Sequence, residues 1–140
     1  MPPVKEFDGL PPALFWAIVA QAPDAMIYAG RDGTIQIWNH SATRIFDYTA
    51  DEVIGKNLDI IIPERLRRAH WAGFDKAVET GRTKYAGRVL TTRAERKNGG
   101  KLYVDLSFSL ITNSAGTVSG VLAIARDCTE RYLAATAARH

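Results

Sequence analysis

The chain has one cysteine, Cys128, among 140 residues, so no disulfide can close within it. No apolar run approaches the roughly 20 residues that a membrane-spanning helix needs. The opening, Met1-Pro2-Pro3-Val4-Lys5-Glu6, lacks the basic-then-apolar order of a secretory signal. Together these absences lead to the expectation of a cytoplasmic location and no membrane partner. No glycine-rich phosphate loop precedes a helix. His40, His70 and His140 have no zinc-ligand spacing, and a single cysteine adds little to them. His40, Ser41 and Asp47 are neighbours in sequence but form no catalytic motif, so the chain is not expected to be an enzyme. One-sided charge is also lacking: 18 basic against 15 acidic residues leave a net charge of +3. The clusters Arg65-Arg67-Arg68 and Arg93-Arg96-Lys97 carry no interleaved aromatic, so no nucleic-acid partner is expected.

What is present fits one globular domain. Hydrophobic residues make up 46% and charged residues 24%, and a chain of this length buries roughly two-thirds of its unfolded surface. Residues 1–10 read as a mobile lead-in. Pro11 to Ala22 places Leu14, Phe15, Ile18 and Val19 at helical spacing. Ala25–Ala29 and Thr34–Trp38 flank the turn Gly30-Arg31-Asp32-Gly33 as a hairpin. Short helical pieces follow: Ser41–Phe46, then one opened by the capping box Thr49-Ala50-Asp51-Glu52 and closed by Gly55. Pro63 to Thr80 is a longer amphipathic helix, closed by Gly81. Its predicted apolar face holds Leu66, Ala69, Gly73, Phe74, Ala77 and Val78, with His70 inside the arc. A strand is predicted within Thr83–Arg93, a turn at Lys97–Gly100, an alternating strand over Leu102–Leu110, and a last strand over Val118–Ala125. A polar, alanine-rich helix ends the chain. Five strands with helices gathered between the second and third predict an α+β fold: a five-stranded antiparallel sheet covered on one face by helices.

Several motifs keep a shared order along this plan. They are Asp32-Gly33 in the hairpin, Asn39 with Ala42 and Phe46, Glu52-Val53-Ile54-Gly55, Lys97-Asn98-Gly99, and Asp127-Cys128-Thr129-Glu130-Arg131. In that order, over roughly residues 12–131, the chain resembles the PAS sensory domain. The resemblance implies the PAS fold over residues 11–127, with an N-terminal flanking helix and an internal pocket between sheet and helices. Residues 128–140 would then form a signalling helix or linker.

The stretch Pro63-Glu64-Arg65-Leu66-Arg67-Arg68-Ala69-His70 is similar to the haem-binding oxygen-sensor subfamily of the FixL type. In those sensors the histidine is the axial ligand of haem b, a basic residue six positions later lies near the propionates, and a glycine-arginine pair supplies the distal arginine. The corresponding residues here are His70, Lys76 and Gly87-Arg88. Haem needs a nitrogen ligand, a flat apolar slot and cations for two propionates. The resemblance thus makes His70 the metal ligand. Leu106 and Phe108, beside Val104, with Leu122 and Ile124 would form the slot, and Arg88, Arg67 and Lys76 are the candidate cations. The expected function is sensing of a gas (O2, CO or NO) or of redox state. The other reading is a cofactor-free module for homodimerisation or signal relay, or one holding another small molecule. Flavin is not expected, because Cys128 lies at the domain exit and away from the helix that carries the reactive cysteine of LOV photosensors.

Overall fold

The computed structural model describes residues 9–139. Residues 1–8, most of the expected lead-in, and His140 lie outside the described residues. The chain runs α1 (Pro12–Gln21), β1 (Ala25–Gly30), β2 (Ile35–Trp38), α2 (His40–Phe46) and α3 (Ala50–Val53). A 3-10 turn, Leu58–Ile61, leads into α4 (Glu64–Thr80). Three strands follow, β3 (Leu90–Glu95), β4 (Lys101–Thr112) and β5 (Val118–Asp127), and then α5 (Thr129–Ala138).

The strands form one antiparallel sheet in the order β2-β1-β5-β4-β3. The last strand in sequence is therefore the central one. Since β2 and β3 are opposite edges, the segment between them must cross the sheet, and its helices lie over one face. This is the layered arrangement expected from the sequence.

Local chemistry starts and stops these elements. Gly33, at φ +82°, closes the β1–β2 turn, with its N–H donating to the Gly30 carbonyl at 2.9 Å. The Thr49–Glu52 capping box is formed as its spacing predicts. Asn39 caps α2 and also holds the N-terminal half together. Its Oδ1 accepts from the N–H of Met26 (2.9 Å) and Ala42 (3.1 Å), and its Nδ2 donates to the carbonyls of Val19 (2.8 Å) and Asp24 (3.1 Å). A buried amide with every bonding position used fixes α1, β1 and α2 in one geometry.

The inner sheet face carries Ala25, Ile27, Ala94, Leu102, Val104 and Ala125, packed with Ile35, Trp38, Ala42, Ile45, Phe46 and Val53. A smaller cluster beneath α4 joins Phe74, Val78 and Val118 to Leu58, Trp71, Leu110 and Val121.

Three sequence expectations change. The strand predicted within Thr83–Arg93 starts at Leu90 and runs to Glu95; residues 84–87 are a turn in which Gly87 has φ +70°. A residue in that conformation leaves the β region, so the extended run stops there. On α4, Ala69 and Gly73 are exposed, while Leu66, His70, Phe74, Ala77 and Val78 of the predicted face are buried or partly buried and Arg67 and Trp71 join them. Trp71 rotates the helix because burying its large ring outweighs burying an alanine and a glycine. On α1 only Phe15 and Val19 of the predicted face are partly buried, whereas Leu14 and Ile18 are exposed.

Candidate ligand-binding site

α4 is entered through Pro63, whose carbonyl accepts from Leu66 N–H at 2.9 Å, and leaves through Gly81 at φ +73°. Its 17 residues make a rod about 25 Å long. His70 lies near the middle and is partly buried. Its ring meets Trp71 edge-on, with centroids 4.6 Å apart and planes at 83°, and lies 5.9 Å from the Phe74 ring. His70 Nδ1 is buried with no hydrogen-bond partner. Burial lowers the imidazole pKa, and the carboxylates of Asp59 and Asp75 oppose that shift. At neutral pH the ring is therefore neutral and presents a nitrogen lone pair.

Opposite the helices, the register decides which side chains line the inner face. Leu106 pairs with Ala125, Phe108 with Ala123 and Leu110 with Val121. Cross-strand partners share a face, and on β1 the inward Ala29, Ile27 and Ala25 continue these rows. Leu106, Phe108, Leu110, Val121 and Ala123 look toward the helices yet are only partly buried, while Leu102 and Val104 farther along β4 are fully buried. This portion of the inner face is apolar and incompletely covered. Tyr85, from the loop ahead of β3, brings its ring to 6.2 Å from Phe108.

Leu122 and Ile124 do not belong to this surface. Ile124 pairs with Ser107 and Met26, and Leu122 with Ser109 and Tyr28, so both side chains lie on the outer face. The sequence expectation fails here because β5 is apolar on both sides, and a period of two cannot then tell inward from outward. Ala123 and Val121 take the inner positions instead.

The candidate cations divide. Arg67 is engaged: Nε donates to the Ile62 carbonyl at 3.0 Å and Nη2 to the Asp59 carbonyl at 3.1 Å, so it braces the turn before α4. Its guanidinium also lies 3.9 Å from the Asp59 carboxylate. Of the three candidate cations, Arg67 is thus the one already engaged within the fold. Lys76 and Arg88 are exposed and make no ion pair among the described residues. Arg88 follows the Gly87 turn and is not on a strand, its N–H donating to Tyr85 carbonyl at 2.9 Å.

The residues present fit a haem group at this place. The neutral imidazole, the buried nitrogen without a partner, the partly covered apolar inner face and two unpaired cations match its needs in kind. The charged cleft of about 670 Å³ between Asp105, Arg126 and the start of α5 offers no comparable apolar lining. No group of three or more His, Cys, Asp or Glu side chains able to hold a metal occurs among the described residues.

The sequence alone does not point to Trp71 or Asp59, nor to Gly33 as the surface on which Trp71 rests. Trp71 Nε1–H donates to Asp59 Oδ1 at 2.6 Å, and its ring rests on Gly33, where a Cβ would overlap it. The signal was available in part: a glycine in the hairpin and a tryptophan next to a core histidine.

Comparison with known proteins places this architecture. The oxygen sensor protein DosP of Escherichia coli K12 is 26% identical over 124 residues, covering 89% of this chain and 15% of that protein. The sensor protein FixL of Bradyrhizobium diazoefficiens is 39% identical over 54 residues, covering 39% of this chain and 11% of that protein. The chain thus spans less than a fifth of each of these curated relatives. The crystal structure of a PAS domain from Colwellia psychrerythraea superposes with a TM-score of 0.73 at 19% identity, covering 84% of this chain and 97% of that one. The PAS-fold family profile matches residues 13–128, which is most of the chain. With a match over that span, the chain belongs to the PAS family.

Proposed function

We propose that this PAS domain is a sensory module that would hold haem b between α4 and the inner sheet face, with His70 supplying the iron's protein ligand. The observation that carries the reading is the His70 imidazole: partly buried, kept neutral by burial, with Nδ1 lacking any partner. A buried polar nitrogen left unpaired costs about 1–3 kcal/mol, which a structural histidine ordinarily avoids through a hydrogen bond. Similarity to proteins named as an oxygen sensor and as a sensor supports the same reading. When bound, haem supplies an iron position at which a diatomic gas or a change of redox state is registered. His70 would present the ligating nitrogen, and Leu106, Phe108 and Ala123 would supply an apolar surface that excludes water. Lys76 and Arg88 are free to approach the carboxylates. The role is signal reception and not catalysis, and a cytoplasmic location accords with the lack of a helix long and apolar enough to cross a membrane among the described residues.

Absorption spectroscopy after haem reconstitution tests this. The wild type is expected to show a Soret band that is lost or strongly shifted in His70→Ala. A colourless wild type after reconstitution overturns the reading.

A second reading is supported by a different observation. On α1, Leu14, Trp16 and Ile18 are 39%, 62% and 56% exposed. The outer sheet face adds Met26, Tyr28, Ile37, Leu122 and Ile124, each partly buried. These surfaces suit homodimerisation, with or without a cofactor. Trp16→Glu is expected to shift a dimer to monomer in sedimentation equilibrium, and a wild-type monomer at high concentration counts against this reading.

A further inference from the structure

A metal-ligating histidine normally has its second ring nitrogen bonded to a carboxylate, carbonyl or water, which fixes the plane of the imidazole. Among the described residues no protein group is hydrogen-bonded to either ring nitrogen of His70. Its ring is bounded by aromatic faces instead: Trp71 edge-on at 4.6 Å and Phe74 tilted at 5.9 Å. These two also meet each other edge-to-face at 5.0 Å and 70°. The three rings form one packed group in which moving one displaces the others.

Trp71 is the member tied to the rest of the fold. Its indole N–H donates to Asp59 Oδ1 at 2.6 Å, on the turn before α4. Its six-membered ring rests on Gly33 in the β1–β2 hairpin, where no side chain would fit. That hairpin is joined to the same turn, since Gly33 carbonyl accepts from Leu58 N–H at 3.0 Å. Trp71 is thus held at both ends, by a hydrogen bond and by a glycine surface, while Phe74 is held by packing alone.

We propose that Trp71 is the positioning residue for His70, setting the imidazole plane through ring packing, and that the Asp59 carboxylate and Gly33 set Trp71. For its ligand this rests on the haem reading above; for the ring geometry it does not. The arrangement holds the histidine ring through an indole anchored two steps away, and it couples the hairpin to the face of α4 that carries His70.

The test uses Trp71→Leu, Asp59→Ala and Asp59→Asn in the full chain. Asp59→Asn and Asp59→Ala remove the same charge, but only asparagine keeps an acceptor for the indole N–H. In the haem-free protein, the His70 ring-proton chemical shifts are expected to move in Trp71→Leu and Asp59→Ala and to stay near wild type in Asp59→Asn. After reconstitution, haem affinity is expected to fall about tenfold in the first two and to be largely retained in the third. A merely structural contribution would change unfolding midpoints without this split between Asn and Ala. Unmoved His70 shifts in Trp71→Leu overturn the inference. So does equal behaviour of the two Asp59 variants. A wild type that takes up no haem defeats the functional reading alone, because the shifts of the haem-free protein still decide the role of Trp71.

Discussion

Tyr132 of α5 stacks on Tyr103 of β4, with ring centroids 3.8 Å apart and planes within 17° of parallel. Tyr103 also carries the Arg93 guanidinium over its ring at 5.5 Å, and its N–H donates to the Thr129 hydroxyl at 2.9 Å. Two residues on, Asp105 accepts from Arg131 at 2.5 Å and from Thr91 at 2.5 Å. The outward residues of β4 thus hold the exit helix, while the inward Leu102, Val104 and Leu106 pack into the core or toward the candidate pocket.

Removing the stack should therefore loosen α5 without disturbing the sheet. Tyr132→Ala is expected to cost about 1 kcal/mol of docking energy. Hydrogen exchange in α5 should rise about fivefold while the amides of β4 and β5 remain protected. Equal loss of protection in both regions would mean that the helix is not held separately.

Asn39 makes four hydrogen bonds to groups on three elements and a turn. Asn39→Ala leaves buried backbone donors and acceptors unmatched and is expected to destabilise the domain by about 3 kcal/mol. Asn39→Asp keeps the two accepted bonds but loses both donated ones, so it should fall between alanine and wild type. Urea denaturation measures both.

Gly33 meets two demands at once, a φ of +82° and contact with the Trp71 ring. Gly33→Ala is expected to cost about 2 kcal/mol, roughly half from the backbone conformation and half from the overlap. The double variant Gly33→Ala with Trp71→Leu should lose less than the two single losses added together. Strict additivity in thermal or urea unfolding would show that the two residues do not press on one another.

Glu52 is expected to control part of the acid response. The hydrogen bond from the Lys97 ammonium, followed by those from Thr49, holds its pKa down to about 2, and the same contact raises that of Lys97. The charged carboxylate is favoured in the folded state, so its contribution is complete above the ordinary value near 4.5. It should disappear as pH falls from there toward 2. Glu52→Gln should flatten unfolding midpoints across that window and leave the neutral-pH slope alone. Both side chains are partly in water, so the change at neutral pH should be small.

The turn chemistry was readable one residue type at a time. Asp32-Gly33, the Thr49–Glu52 box and Gly81 each state a local conformation, and the structure adopts all three. In Thr83–Val89 the strand-favouring Thr83, Tyr85 and Val89 recur at even spacing and so suggest a strand, but Gly87 turns the chain. An ideal helical wheel does not reveal Trp71, because it assigns faces by angle alone, without the size of what each side must bury.

By itself the sequence determined the order of elements, the turns between them, the PAS resemblance and the placing of His70 on a half-apolar helix. Those properties follow from local conformational preference and from short periodicities in side-chain character. Only the tertiary structure decided that Leu122 and Ile124 face outward, that Ala123 and Val121 replace them, that Arg67 braces a turn, and that Trp71 meets His70. Strand facing depends on a register that shifts every side chain with a one-residue slip, and an all-apolar strand does not reveal it. The contacts of α4 depend on how the hairpin, the 3-10 turn and the sheet come together across distant parts of the chain, so local pattern has no access to them.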